Sequence, residues 1–576
     1  MKRFIVLFIL VSIALSGYSS NDGKIEVPLR FDRYYTYDEV IEALNVLHEA
    51  YPQMTELELV GKSEEGREIY ALTINNPETG DELEKPGVYI EGNIHGNEIQ
   101  AGEVCLYYAN MLLTKYSENE KIKAAVDRNA HYIIPVVNVD GRYHFFEDGN
   151  TSSTNRGLRV PKDDDGDGLF DEDPPDDLDG DGNICQMRIK DPYGEYKPDP
   201  EDPRVMVRVD RDEKGTYSLL GYEGIDNDGD GRFNEDSEGY LDPNRNWGHN
   251  WMPPYVQRGA GNFPLSGVGL KAINEFISAH PNIIVSYDFH NTGGMWLRVP
   301  ANKNIQIEPS DIEAYDVVGK EAVKITPGYV YHPSHELYPT YGGFDTHLYF
   351  VHGAISFTGE LFMREHETFR EETEESSKSE ESFSRRSPER NRELLKFNDH
   401  LAHGELHKDW EKYDHPVYGE IEIGGWVKMS SRLPHPFMLP DLVHRNASVV
   451  LHSAEQTPEI TLDVFDVEKL NNNLYKVRVR LENKNGLPSM TAHADKTKLY
   501  PKDILKVSGG KVVAGGKITN LRLDEVAYKD KKPEIQFLAI PGYGVEEYQF
   551  LVEGRGEITI DYESRKAKNI STSVKL

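Results

Sequence analysis

The 576-residue chain has only two cysteines, Cys105 and Cys185, too few for a disulfide framework; they can form one bridge at most, and the reading is that they form none. After residue 15, no stretch is apolar for the ~20 residues that a membrane span requires. Basic residues are scarce beside acidic ones, 64 Lys and Arg against 98 Asp and Glu, giving a net charge of -34. A surface of that sign repels phosphate backbones, which excludes nucleic acid as a partner. Hydrophobic content is low at 38%. The length implies more than one domain, since a typical domain takes about 100–200 residues.

What is present starts with a signal-peptide pattern over residues 1–17: Lys2 and Arg3, an apolar run through residues 4–15, then Ser16 and Gly17. Leu15-Ser16-Gly17-Tyr18 has the form of a bacterial lipobox with Tyr in place of the lipidated Cys. The expectation is an exported bacterial protein, secreted or periplasmic, and not lipidated. Thr36-x-x-Glu39 is a capping box, after which Val40, Leu44 and Leu47 recur at helical spacing until Pro52. Apolar runs at 87–90, 132–137, 283–289 and 354–358 alternate with helical stretches at 98–113, 270–280 and 312–325. This predicts the α/β class: a mixed central sheet flanked by helices, with the site at the carboxyl ends of its strands.

An Asp-rich insertion spans 160–236. Asp163-Asp164-Asp165-Gly166-Asp167-Gly168 recurs as Asp226-Asn227-Asp228-Gly229-Asp230-Gly231, and a shorter copy occupies 177–182. Residues 366–390, rich in Glu, Ser and Arg, read as a solvated polar insertion. A polar helix to about Tyr413 is expected to close the first domain, residues 30–415. Alternation and turns over 416–576 then predict a C-terminal antiparallel β-sandwich.

Gly92-Asn93-Ile94-His95-Gly96-Asn97-Glu98 runs from a strand into a glycine-bearing turn, so His95 and Glu98 can reach one ion. A catalytic zinc takes about three protein ligands and keeps a position for water. His290, at the end of the buried strand in Ser286-Tyr287-Asp288-Phe289-His290-Asn291, supplies the third. The other histidine groups, His48-Glu49, His366-Glu367, His400 with His403 and His407, and the loop pair His332 and His335, read as solvated positions. Glu360 closes an apolar strand, where a carboxylate without a role or partner would be costly to bury.

These motifs, with Asp242-Pro243-Asn244-Arg245-Asn246, the stretch 338–349 and Ser356-Phe357-Thr358-Gly359-Glu360, follow the order and spacing of the zinc carboxypeptidase family, which includes carboxypeptidases A and B. The resemblance covers 30–415, and Gly61-Lys62-Ser63-x-x-Gly66-Arg67 looks like the family's N-terminal signature. It implies zinc on His95, Glu98 and His290, with Asp242 orienting the His95 ring. It also implies Asn244 and Arg245 on the substrate's terminal carboxylate, and Glu360 as general base. Arg159 and Arg156 are both candidates for the developing oxyanion. Tyr338 falls where the family closes a tyrosine over the substrate, although Tyr341 is near enough to be the counterpart. Aligned without gaps from Glu360, the base of the specificity pocket is Asp345, which favours a basic terminal residue; a shift of one residue puts Phe344 there and favours apolar ends.

Gly96 and Asn97 depart from the digestive members, which carry an Arg between the two ligands, and resemble the processing branch, in which a β-sandwich follows the catalytic domain. The implied function is a secreted zinc metallocarboxypeptidase acting on peptide or protein C-termini. Two rival readings are a same-fold amidase or peptidase acting on cell-wall stem peptides and a catalytically inactive binding protein. Arg245 argues against the first, and the complete set of ligands and base against the second. In the insertion, Asp163, Asp165 and Asp167, then Asp226, Asp228 and Asp230, are candidate Ca2+ ligands, because that ion takes roughly six to eight oxygens. Glu172 and Glu235 fall at position 10 of each copy, unlike the terminal Glu of an EF-hand. Oligomeric state is left open.

Overall fold

The computed structural model describes residues 27–164, 166–363, 387–430 and 432–576. The expected signal peptide, most of the polar insertion 366–390, His366 and Asp165 lie outside the described residues. Helix Tyr37–Ala50 opens with the anticipated capping box: Thr36 Oγ1 accepts the Glu39 N–H and the Glu39 carboxylate accepts that of Thr36, an arrangement worth about 1 kcal/mol. Val40, Leu44 and Leu47 form its buried face.

Eight strands make the central sheet, in the order Thr55–Lys62, Glu68–Ile74, Ala130–Ile134, Gly87–Gly92, Ile283–Asn291, Ile355–Leu361, Met295–Arg298 and Val330–Pro333. Neighbours among the middle four run parallel, while antiparallel pairs flank them on both sides, so the sheet is mixed as expected. Every residue of Ile283–Asn291 is buried, which explains its near-continuous apolar run: helices cover both faces. The anticipated helices appear as Gln100–Lys115, Val268–Ala279 and Pro309–Ile325. Cys105 and Cys185 are both buried and free. Among the described residues, no helix is long and apolar enough to cross a membrane.

Two expectations about the second half are corrected. The polar helix is Pro388–His400, and the sequence toward Tyr413 is a strand, His407–His415, paired with Gly419–Trp426. These two strands complete a six-stranded sheet whose other members, Gln186–Lys190, Tyr196–Pro198, Met206–Arg208 and Tyr217–Tyr222, belong to the Asp-rich insertion. Alternation marks a strand without naming its partner; here Ile423 opposes Met187, and Glu422 opposes Arg188. Helix Leu439–Glu455 then buries Val443, Ala447, Val450 and Ala454 in the core of the catalytic sheet. The sandwich therefore begins at Ile460 and not at 416. Its five-stranded and four-stranded antiparallel sheets share a core that includes Val477, Leu505, Phe550 and Ile560. Lys566, reaching the His352 carbonyl at 2.6 Å, and Asp311, accepting the Ala492 N–H at 2.7 Å, join the sandwich to the catalytic sheet.

Candidate metal centre

The turn after strand Gly87–Gly92 holds two of the three expected ligands, and its shape is over-determined. Asn93 has φ 56, and its Nδ2 donates to the carbonyls of His95 at 2.6 Å and Gly96 at 3.0 Å. A Cβ on Gly96 would stand 2.3 Å from the Asn155 carbonyl oxygen and 2.4 Å from Gly141 Cα, so only glycine fits. Beneath the turn, Arg142 donates to Asn93 Oδ1 and the Ile99 carbonyl, both at 2.9 Å, while pairing with fully buried Glu103. The family-like opening signature serves the same scaffold: Ser63 Oγ and Arg67 Nη1 donate to Asp140, at 2.7 and 2.8 Å, at the start of the helix carrying Arg142.

His290 arrives from the carboxyl end of Ile283–Asn291, and the three side chains meet. Ligand atoms of His95, Glu98 and His290 lie within 4.8 Å of one another, all buried. The two imidazole Nδ1 atoms stand 3.0 Å apart, and His290 Nδ1 is 2.9 Å from Glu98 Oε2. Each outer ring nitrogen is held from behind: His95 Nε2 lies 3.1 Å from Asp242 Oδ1, as expected, and His290 Nε2 lies 2.7 Å from Asp288 Oδ2. Two imidazoles turned inward and one carboxylate, with carboxylates fixing the outer nitrogens, are a donor set that fits a zinc ion.

The surrounding charge keeps the donors ionised. Burial opposes the Glu98 charge, yet His95, Arg156 and His290 hold the carboxyl well below its usual range. Burial likewise opposes Asp242, but Arg245, His95 and Arg156 hold it low. Glu360 is half-buried on Ile355–Leu361, opposite His290 in register. Burial raises its carboxyl, with Glu98 adding to the rise and His290 opposing it.

Of the two arginine candidates, Arg156 reaches the centre: its Nη1 is 2.6 Å from Glu98 Oε1. Arg159 does not, since it pairs with Glu65 at 2.9 Å and with Glu238. Its expectation is corrected. Both line a cavity of about 410 Å3 that also meets Asn155, Tyr240 and Arg258. Asn244 Nδ2 lies 2.8 Å from His290 Nε2, and half-buried Arg245 follows it in the turn capped by Asp242. Tyr338 is 55% exposed on its loop, whereas Tyr341 Oη accepts from Asn302 Nδ2 at 3.0 Å. Phe344 is fully buried against Tyr89 and Trp247, in core packing. Asp345 is buried, with Oδ2 accepting from Ser334 Oγ at 3.0 Å and Oδ1 from the Thr346 N–H at 2.6 Å. His332 bonds the adjacent Pro333 carbonyl and His335 the Pro300 carbonyl, each at 3.0 Å.

Two functional neighbours are absent from the sequence reading. Asp288 could have been found, because it sits two residues before His290 on a strand and therefore on the same face. Arg432 has no local signal: its Nη1 lies 3.7 Å from Glu98 Oε1, across a separation that no motif spans.

The Asp-rich copies come together in a way their spacing does not show. Asp163 and Asp226 turn their carboxylates to their own loop amides, Gly168 N at 3.1 Å and Gly231 N at 3.0 Å. Asp226, Asp228 and Asp230 converge as expected, but Asp167 groups with Glu172 and with Asp228 of the other copy. The physical reason is the bridge between Asp173 and Asp236, which sets the two copies face to face. Burial and the Asp236 carboxylate push Glu172 up to about 7, and burial and Asp173 push Glu235 up to about 7. In the third copy a protein cation is already present, Lys408 on Asp179 and Asp181.

A buried His, His and Glu cluster at the carboxyl edge of a mixed sheet, with a carboxylic acid one strand away, defines the three-ligand metallohydrolase class. A family model described as zinc carboxypeptidase matches residues 40–169 and 221–383, just over half of the chain. The chain belongs to the zinc carboxypeptidase family. Residues 459–575 match a model described as a domain of unknown function, which agrees with the sandwich boundary found in the fold. Carboxypeptidase D of Rattus norvegicus is 36% identical over 122 residues, 21% of this chain and 9% of that protein. A zinc carboxypeptidase of Saccharothrix mutabilis subsp. capreolus is 33% identical over 119 residues, 21% of this chain and 27% of that protein. The match thus spans a small part of either relative. The solved bovine thrombin-activatable fibrinolysis inhibitor, in complex with tick carboxypeptidase inhibitor, aligns with TM-score 0.42 and 16% identity, covering 74% of this chain and 97% of that one.

Proposed function

We propose that this protein is an exported zinc carboxypeptidase that removes residues from the C-termini of peptides. The observation that carries the reading is the single cluster of His95, Glu98 and His290 with Glu360 in register beside it and Asn244–Arg245 at its edge. Zinc on the three ligands would supply Lewis-acid polarisation of the scissile carbonyl and of water. Asn244 and Arg245 bind the terminal carboxylate, for which a planar guanidinium is suited. Glu360, in register with His290 on the neighbouring strand, accepts the proton of the attacking water and returns it to the departing amine. Arg156 stabilises negative charge developing on the carbonyl oxygen. Tyr338, exposed on its loop, closes over the bound end, and Asp345 receives a basic terminal side chain.

Calcium in the Asp-rich loops belongs to the same proposal. Asp236 is 1% exposed, and its Oδ2 has no hydrogen-bond donor among the described residues. Carboxylates that face one another in this way call for a hard cation between them.

A mass-spectrometric time course on a mixed peptide library tests the activity. A ladder of single C-terminal losses is expected, fastest after Lys or Arg. Internal cleavage, or release only from cell-wall stem peptides, would sink the reading; fastest loss of Leu or Phe would sink only the role of Asp345.

A further inference from the structure

The segment that follows the six-stranded sheet lies beyond residue 383, where the family match stops, yet it reaches the metal centre. Its main chain is moored to both ligand-bearing elements: the Arg432 carbonyl accepts from Asn291 Nδ2 at 2.9 Å and from Gln100 Nε2 at 3.4 Å. Leu433 and Leu439 pack with Tyr34, Ile99 and Phe145 in a small core, and Tyr34 Oη donates to the Pro434 carbonyl at 2.6 Å. These contacts hold the loop whatever side chain stands at 432. The Arg432 guanidinium is therefore not needed to hold the loop, and its side chain is 33% exposed beside Glu98.

Among the described residues it pairs with Glu98, at 3.7 Å, and the same oxygen already receives Arg156 at 2.6 Å. Arg156 also has Asp242 within 4.0 Å, whereas Arg432 has Glu98 alone of the described carboxylates within ion-pair distance, and must share it. A part-buried positive charge in that position favours an incoming anion. Asn244, Asp242 and Arg245 stand on the outer, Nε2 sides of the imidazoles, whereas Arg432 approaches from the Glu98 side, where the Nδ1 atoms point. A peptide whose terminal carboxylate lies on Asn244 and Arg245 would carry its preceding residue across the centre toward Arg432. The nearest motif residue offers no competing contact, because Asn97 turns its Nδ2 to the Ser152 carbonyl at 3.1 Å.

We infer that Arg432 is a substrate-positioning residue that selects an acidic side chain immediately before the scissile bond. The inference rests on the carboxypeptidase reading and gives the enzyme a specificity determinant from outside its family domain. The test uses full-length protein and three peptides alike except for Glu, Ala or Lys at the penultimate position. Wild type should rank Glu above Ala above Lys. Arg432→Ala should lower kcat/KM on the Glu peptide by about ten- to a hundred-fold, chiefly through KM, the range expected for one charge-assisted hydrogen bond. Arg432→Lys should keep the ranking and Arg432→Glu should invert it, with bound zinc and melting temperature unchanged. Undiminished discrimination in Arg432→Ala overturns the inference, as does an equal loss on all three peptides accompanied by loss of zinc, which would mark a role in holding Glu98. Calorimetric binding of the peptides to Glu360→Gln, with and without Arg432→Ala, reads the contact without turnover. A wild type that binds all three in the expected order but cleaves none sinks the carboxypeptidase reading alone.

Discussion

The metal centre and the Asp-rich loops both concentrate carboxylates, and they handle the repulsion in opposite ways. At the centre every ionised carboxylate has a protein cation or an imidazole against it: Arg156 beside Glu98, and His95 with Arg245 and Arg156 around Asp242. In the two long Asp copies carboxylate faces carboxylate, Glu172 against Asp236 and Glu235 against Asp173. The third copy behaves like the centre, with Lys408 between Asp179 and Asp181. Preorganised counter-charge keeps donors ionised and aimed before any metal arrives. Loops without it leave like charges facing one another, which is the ground for the proposed calcium.

The largest effect should come from removing the proton carrier while leaving the donors intact. Glu360→Gln is expected to lower turnover by about 100- to 10,000-fold with zinc still bound, whereas His290→Ala should lose both metal and activity. Metal analysis beside steady-state kinetics separates the two, and substantial turnover by Glu360→Gln would reject the assigned base. Behind the ligands, Asp242→Asn and Asp288→Asn should each weaken zinc affinity by about 10- to 100-fold. Competition with a chelator measures this, and an unchanged affinity in Asp288→Asn would deny that residue its orienting role.

A smaller effect sharpens the contrast with the loops. Calcium in hundred-fold excess over its dissociation constant should stabilise the protein by about 2.7 kcal/mol, and a calcium-selective chelator should lower the melting temperature without removing zinc. Lys408→Ala should convert the third copy to the behaviour of the other two, costing roughly 1–3 kcal/mol in chelator and regaining part of that loss in calcium. Melting curves that ignore calcium in both proteins would reduce the copies to acidic loops.

A pH-dependent effect concerns buried titratable groups, one on each side of the boundary at 460. His131, buried in the catalytic sheet between Tyr108 and the Ala125 carbonyl, is pushed down to about 3 by burial. Its unfolded form takes up a proton below 6.5, so its contribution is complete above that pH and is lost as pH falls toward 3. Asp503, buried in the sandwich, is raised to about 6 by burial, with Ser489 and Tyr562 opposing the rise. Its contribution is complete below 3.8 and is lost as pH rises through 6. Each slope is about 1.4 kcal/mol per pH unit. Melting scans from pH 4 to 8 should show the acid limb flatten in His131→Gln and the fall near pH 5 flatten in Asp503→Asn; exchange of the two signatures would contradict the assignment.

Legibility in the sequence followed range. Thr36 and Glu39 make a capping box because its two hydrogen bonds lie within one turn, and the apolar run ending at His290 became a buried strand because burial on both faces leaves that imprint. His95, Glu98 and His290 were readable as residue types beside a glycine-bearing turn and a strand end, and Glu360 as a carboxylate closing an apolar strand, while Asp242 came only with the family resemblance. The strand His407–His415 differs from the expected helix because its exposed charged residues carry no clear period, and the sheet it joins through Gly419–Trp426 is built mostly from an insertion about two hundred residues earlier.

By itself, then, the sequence determined the α/β class with its mixed sheet, four of that sheet's eight strands and the candidate donors His95, Glu98 and His290, because these leave local patterns of apolarity and spacing, while the base and the carboxylate grip came as what the family resemblance implies. Only the tertiary structure decided that Arg156 and not Arg159 reaches Glu98, that Asp288 backs His290, that helix Leu439–Glu455 belongs to the catalytic core, and that the Asp copies meet face to face. It alone placed Arg432 beside Glu98. Those outcomes depend on which distant surfaces bury one another, and hydrophobic burial is non-directional, so no local pattern encodes the partner it selects.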